Sequence, residues 1–175
     1  MKEPFEMITE FHETFSPRSV TVPTALKPEQ AGFRAEFKVE ELVELLYSSA
    51  NNDLELFQKL VADLKASIDQ AQEKVLKKEK PVIDPLVEEV DALTDLLYFT
   101  YGSFYLMGVD PTKIFEIVHQ ANMGKLFPDG KPHYHPVTNK VLKPENWERD
   151  CAPEAKIKAE INRQVLKMAK SETTK

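Results

Sequence analysis

Two groups of acidic residues in this chain are spaced as helix faces rather than as scattered surface charge. The first is Glu40, Glu41 and Glu44; the second is Glu88, Asp91 and Asp95. At about 100° per residue, Glu40 and Glu44 share a stripe with Glu36, Phe33, Phe37 and Tyr47, and Glu41 lies on its shoulder. Arg34 and Lys38 project toward the opposite, solvent side. Glu88, Asp91 and Asp95 fit inside an arc of about 60°, beside Ala92 and Phe99. Carboxylates held among apolar neighbours without a partner take up protons, and several together repel one another, so such a face is most readily tolerated when cations fill it. Between Asp84 and Asp95 there are five acids and no Lys, Arg or His. A ligand set of carboxylates alone favours a hard divalent ion, Mg²⁺ or in its place Mn²⁺, over zinc. Two plainer readings compete: ion pairs to Lys or Arg on another helix, and an acidic face that is simply solvated.

A basic stretch follows. From His119 to Lys143 the only acid is Asp129, against Lys125, Lys131, Lys140 and Lys143. Lysines near a metal centre suit a polyphosphate, since each is a compact charge able to reach a nonbridging oxygen. Asn122 and Lys125 follow His119 at i+3 and i+6, on one helical face, and that makes these three the leading candidates.

The elements that must carry these groups are helical. Phe5, Ile8, Phe11 and Phe15 recur at helical spacing over residues 3–15, and Ser16, Pro17, Pro23 and Pro28 then hold an irregular connection. A second helix is expected over about 29–49. Asn51, Asn52 and Asp53 offer caps for a third, whose stripe of Phe57, Leu60, Val61, Leu64, Ile68, Ala71 and Val75 persists to about Lys78 before Pro81 breaks it. Asp84 with Pro85 starts a helix that runs to Met107 and stops at Gly108; it is apolar nearly all round, which predicts a central position. Asp110 with Pro111 starts another, to about Gly124. Asp129 and Gly130 mark a turn in the Pro/Gly-rich stretch 126–147, and Pro153 opens a last, lysine-rich helix to about Lys170. The expectation is an all-α bundle of five to six helices, one domain over 1–170, with a polar tail at 171–175.

Length and composition agree. The 175 residues suit one domain, 42% are apolar, and 5 Gly against 12 Pro fits helices joined by proline-punctuated loops. With 23 basic and 29 acidic residues the formal charge is −6, which excludes a basic nucleic-acid binder. That charge also argues against a phosphorylated ligand, until the clustering of the acids is taken into account. The lone Cys151 cannot form an internal disulfide, the N-terminal residues lack the apolar stretch of a signal peptide, and the uncharged run 96–109 is short of a membrane span. A cytoplasmic protein without a membrane partner is expected.

Glu40-Glu41-Leu-Val-Glu44, followed by Glu88-Glu-Val-Asp91 inside EEVDALTDLLYFTYG, resembles the EExxE and ExxD motifs of the all-α nucleoside triphosphate pyrophosphohydrolases. That superfamily includes the MazG proteins, dimeric dUTPases and phosphoribosyl-ATP pyrophosphohydrolases. The chain is most similar to the MazG-like branch with DLLYxTYG and a following HxxNMxKxxPDGK, here His119 to Lys131, and the resemblance spans about 33–147. It implies a MazG-like bundle and a homodimer whose site a neighbouring subunit helps complete. The implied reaction is Mg²⁺-dependent cleavage of a (d)NTP between the α and β phosphates to (d)NMP and pyrophosphate, with dUTP or another pyrimidine dNTP as one option and nucleotide housecleaning as the role. Carried onto this chain, Glu40, Glu41, Glu44, Glu88 and Asp91 are metal ligands or water-orienting groups, and Glu40 or Glu41 is the general base. Asn122, Lys125 and Lys131 bind phosphate, and Asp95 supports the metal shell.

Alternatives remain at this stage. Phosphoribosyl-ATP hydrolysis is one, and a non-enzymatic helical interaction protein with a solvated acidic face is another. A di-iron carboxylate bundle needs two ExxH motifs, and the chain has one, Glu116-Ile-Val-His119. Tyr98, Tyr101 and Trp147 could stack on a base, although the helical spacing of the two tyrosines favours core positions.

Overall fold

The computed structural model describes residues 2–17, 21–138 and 140–172, with residues 171 and 172 described by backbone alone. Among these residues the fold is all α, as expected, with six helices of twelve residues or more and one single-turn helix. They are α1 (Pro4–Phe15), α2 (Pro28–Ala50), α3 (Leu54–Lys77), α4 (Pro85–Leu106), α5 (Thr112–Met123), α6 (Trp147–Asp150) and α7 (Glu154–Glu172). Among the described residues the only extended pairing is an isolated antiparallel bridge between Tyr134 and Val141. The helix α7 passes through the start of the expected tail, and residues 173–175 lie outside the described residues.

The chain forms two compact units, one from Val22–Leu93 and the other from Met1–Thr21 with Thr94–Lys175. In the first, α2 and α3 make an antiparallel hairpin. Its turn uses Asn51 and Asn52 at φ 47° and 71°, left-handed conformations that asparagine tolerates better than most residues. Asp53 then accepts the amide of Leu56 at 3.0 Å and starts α3. Tyr47 meets Phe57 edge-on across the hairpin, with ring centroids 5.1 Å apart. Beyond Leu64 every residue of α3 is exposed, so only the first half of its apolar stripe is covered.

In the second unit, α5 packs on α1 and on α7. Its buried apolar residues are Met7 and Phe15 from α1, Ile114, Ile117 and Ala121 from α5, and Trp147. The joint with α7 is polar. Gln164 donates to the carbonyl of Asp110 and accepts its amide, both at 2.9 Å, and so holds the chain just before α5. Glu160, beside it, is buried and takes two hydrogen bonds from Arg163 and one from Gln164. Arg163 first, then Gln164, hold its carboxyl at about 2, against an ordinary 4.5. A depressed carboxyl stabilises the fold fully above its unfolded-state value, and that contribution is lost as pH falls from 4.5 toward 2. Glu160→Gln should therefore melt below the wild type at neutral pH, with the gap closing across that acid window in thermal melts.

The expectation for α4 is corrected. Its start and stop are as read: Asp84 accepts the Val87 amide at 3.3 Å, and Gly108, at φ 67°, closes the helix with its amide on Tyr105 and that of Val109 on Phe104. Its central position is not found. In the first unit the N-terminal half packs on neither α2 nor α3, and in the second the C-terminal half packs on none of α1, α5 and α7. Every residue from Val90 to Ser103 is exposed, including Tyr98 and Tyr101, which helical spacing had placed in a core. An all-round apolar helix needs apolar neighbours, and these helices do not supply them.

Candidate active site

The acidic motifs both lie in the first unit. Glu40, Glu41 and Glu44 stand on successive turns of α2 and are exposed; Asp91 on α4 is exposed and Glu88 is half-buried. The aromatic stripe beside the α2 acids forms as read, with Phe33 and Phe37 in edge contact at 4.8 Å. Lys38, placed on the solvent side by periodicity, is half-buried instead. Burial first, then Arg34, lowers its pKa, and its ammonium donates to the Arg34 carbonyl at 3.2 Å. It does not turn toward the carboxylates.

Glu88 has a cation, Lys80, at 3.7 Å, a long pair open to solvent and worth little. Glu89, outside the motif face, accepts the amide of Leu26 at 2.8 Å and ties the connection before α2 to α4. Among the described residues no hydrogen bond or ion pair engages the side chains of Glu41, Glu44, Asp91 or Asp95. The ion-pair reading of the acidic face is therefore unfilled at these four positions. Nor does any group of three or more His, Cys, Asp or Glu side chains among the described residues converge closely enough to hold a metal. Since α4 does not pack on α2, the EExxE and ExxD motifs of one chain stand as separate faces.

The basic candidates belong to the second unit. Lys125 donates to the side-chain oxygen of Asn122 at 2.7 Å, one turn apart at the end of α5, so these two form a preassembled pair. His119, which shares their face by spacing, is directed elsewhere. It is 9% exposed, and its Nε2 lies 3.0 Å from Glu10 of α1. Lys2 first, then His119, lower the pKa of Glu10. His119 is a fastener between α1 and α5, and it leaves the candidate ligand face to Asn122 and Lys125.

Lys131 is exposed beyond a tight turn in which the amide of Gly130 meets the Phe127 carbonyl at 2.8 Å. Asp129 accepts the Lys131 amide at 3.0 Å and lies 2.9 Å from His133, whose ring stacks on Phe127. The turn read from Asp129 and Gly130 thus exists, with Gly130 at φ 74°.

Trp147 is 6% exposed and its indole donates to the Ala121 carbonyl at 2.8 Å. That removes it from base stacking. Cys151, one turn later, packs on Gly124: a Cβ added there would lie 2.5 Å from its sulfur. Gly124 lies at the expected end of the fifth helix and Cys151 is the lone cysteine, and nothing in local spacing links them.

Comparison with known proteins bears on the family and the fold. Residues 8–122 match the phosphoribosyl-ATP pyrophosphohydrolase (PRA-PH) family. A solved structure from Exiguobacterium sp. 255-15, of a candidate NTP pyrophosphohydrolase, superposes with a TM-score of 0.85 at 38% identity, covering 95% of this chain and 98% of that one. None of the curated proteins compared with it matches. The all-helical fold and the two ordered acidic motifs define the class, the all-α NTP pyrophosphohydrolases. Within it, this chain belongs to the phosphoribosyl-ATP pyrophosphohydrolase family.

Proposed function

We propose that the protein is a metal-dependent nucleoside triphosphate pyrophosphohydrolase, cleaving a (d)NTP to the monophosphate and pyrophosphate. The observation that carries this is the pair of acidic motifs whose members Glu41, Glu44 and Asp91 have no side-chain partner among the described residues. Solvated acids would satisfy the same geometry, but the match to a pyrophosphohydrolase family supports the catalytic reading.

The donor chemistry fits Mg²⁺, since every side chain on offer is a hard carboxylate oxygen. Glu40, Glu41, Glu44, Glu88 and Asp91 would hold it, with Asp95 in support. When bound, such an ion neutralises triphosphate charge and acidifies a water. The chain's own part is to orient that water and take its proton on a carboxylate that the metal does not fully engage, Glu40 or Glu41, while Asn122, Lys125 and Lys131 bind phosphate oxygens. The partner we propose is a second copy of this chain, because in the first unit α4 packs on neither α2 nor α3 and its apolar residues stay exposed.

A second reading, hydrolysis of phosphoribosyl-ATP at the same anhydride, is favoured by the family match over residues 8–122. One panel decides between them: pyrophosphate release with Mg²⁺ from dUTP, dCTP, dTTP, the ribonucleotides and phosphoribosyl-ATP. Release is expected from at least one and should stop with excess chelator and return with Mg²⁺. A panel without release from any of them would overturn both readings.

A further inference from the structure

We propose that Trp147 and Cys151 are positioning residues that clamp the end of α5 from behind and so fix Asn122 and Lys125 as an anion-binding turn. The inference rests on the reading that these two bind phosphate. Its starting point is how α5 ends. In a continuing α-helix the amide of Lys125 would bond the carbonyl of Ala121. Here that amide goes to Asn122 at 3.1 Å, and the amide of Leu126 goes to Met123 at 3.2 Å, so the last turn tightens. The abandoned Ala121 carbonyl is buried and needs a donor. The indole of Trp147 supplies it at 2.8 Å.

Cys151 completes the grip. Gly124 has an ordinary helical backbone, with φ at −64°, so no conformational demand explains the glycine. Space does: an added Cβ would stand 2.5 Å from the Cys151 sulfur, 2.9 Å from its Cβ and 3.3 Å from the Ala121 carbonyl. The amide of Cys151 is in turn bound to the Trp147 carbonyl at 2.8 Å, which makes α6 one rigid turn carrying both gripping side chains. The same indole ring bears the ammonium of Lys143 at 3.8 Å from its centroid, and Glu148 holds that ammonium at 3.1 Å. Trp147 therefore orders one lysine through its ring and another through the turn it braces. A phosphate ligand would meet a preset amide and ammonium, with less side-chain freedom to lose on binding.

The test is binding of inorganic pyrophosphate in Mg²⁺ buffer by calorimetry, together with steady-state kinetics. Trp147→Phe keeps most of the ring and loses the donor. It should weaken pyrophosphate binding by about fivefold, the scale of one hydrogen bond, and raise KM similarly while kcat stays within about twofold. Added to Lys125→Ala it should cost nothing further, since both act through one turn. Ile117→Val, a destabilising change elsewhere in this unit, should leave the affinity unchanged. Should Trp147→Phe fail to fold, Gly124→Ala probes the same grip by pushing on Cys151, and Cys151→Gly should restore it. Wild-type affinity in both Trp147→Phe and Gly124→Ala, with weakened binding in Lys125→Ala, would overturn the clamp and leave the proposed function standing. Unchanged binding in Lys125→Ala would overturn the phosphate assignment and the clamp with it.

Discussion

Glu44→Ala and Asp91→Ala should each lower pyrophosphate release by at least about 100-fold, the order expected when a preorganised charge-stabilising group is lost. Neither change should harm the fold. Both side chains are exposed and neither makes a hydrogen bond or ion pair among the described residues, so each substitution should stay within about 0.5 kcal/mol. Far-UV circular dichroism and thermal melts on the same preparations check that side. Glu89→Ala is the control with the opposite signature: it removes the acceptor of the Leu26 amide and should cost stability rather than turnover. If both motif variants retain wild-type release, the acids are a solvated face and the catalytic reading fails.

What local pattern decides was legible in the sequence, and what distant contacts decide was not. Asp53 and Asp84 cap the helices they were read to cap, and Gly108 stops α4, because each acts within a turn of its own position. The face shared by His119, Asn122 and Lys125 is real as periodicity, yet His119 leaves it because Glu10, 109 residues earlier in the chain, stands against it. No spacing rule encodes that meeting. Gly124 is a comparable case, since its need for a bare Cα arises from Cys151, across a loop from α5. Trp147 drew attention as an aromatic able to stack, whereas its role is set by one helix-terminal carbonyl. The acidic residues stand out in the sequence because two independent patterns coincide on them, helical facing and motif order. Their expected enclosure by other helices is not found, because no helix of its own units packs on α4.

The protein should be a dimer in solution and should lose its fold when dimerisation is blocked. In one unit α4 exposes Val87 and Val90, and in the other Leu96, Leu97 and Phe99, with Tyr105 and Leu106 at 83% and 85%. Burying a Val, Leu or Phe side chain is worth about 1.5–3 kcal/mol, so five such residues left in water forgo a sum comparable to the whole stability of a small domain. Contiguous exposed apolar surface of this kind marks an interaction site, and the occupant that needs no further assumption is the same helix of a second copy in an isologous contact. Sedimentation at micromolar concentration should give twice the chain mass, with a melting temperature that rises with protein concentration. Leu97→Asp places a charge on the most apolar side of α4, where burial without a partner costs several kcal/mol. It should shift the protein to monomer and strip much of its helicity together with its activity. A wild-type chain that sediments as a monomer and melts cooperatively, independent of concentration, would show instead that α4 is covered from within, by a rearrangement of the single chain.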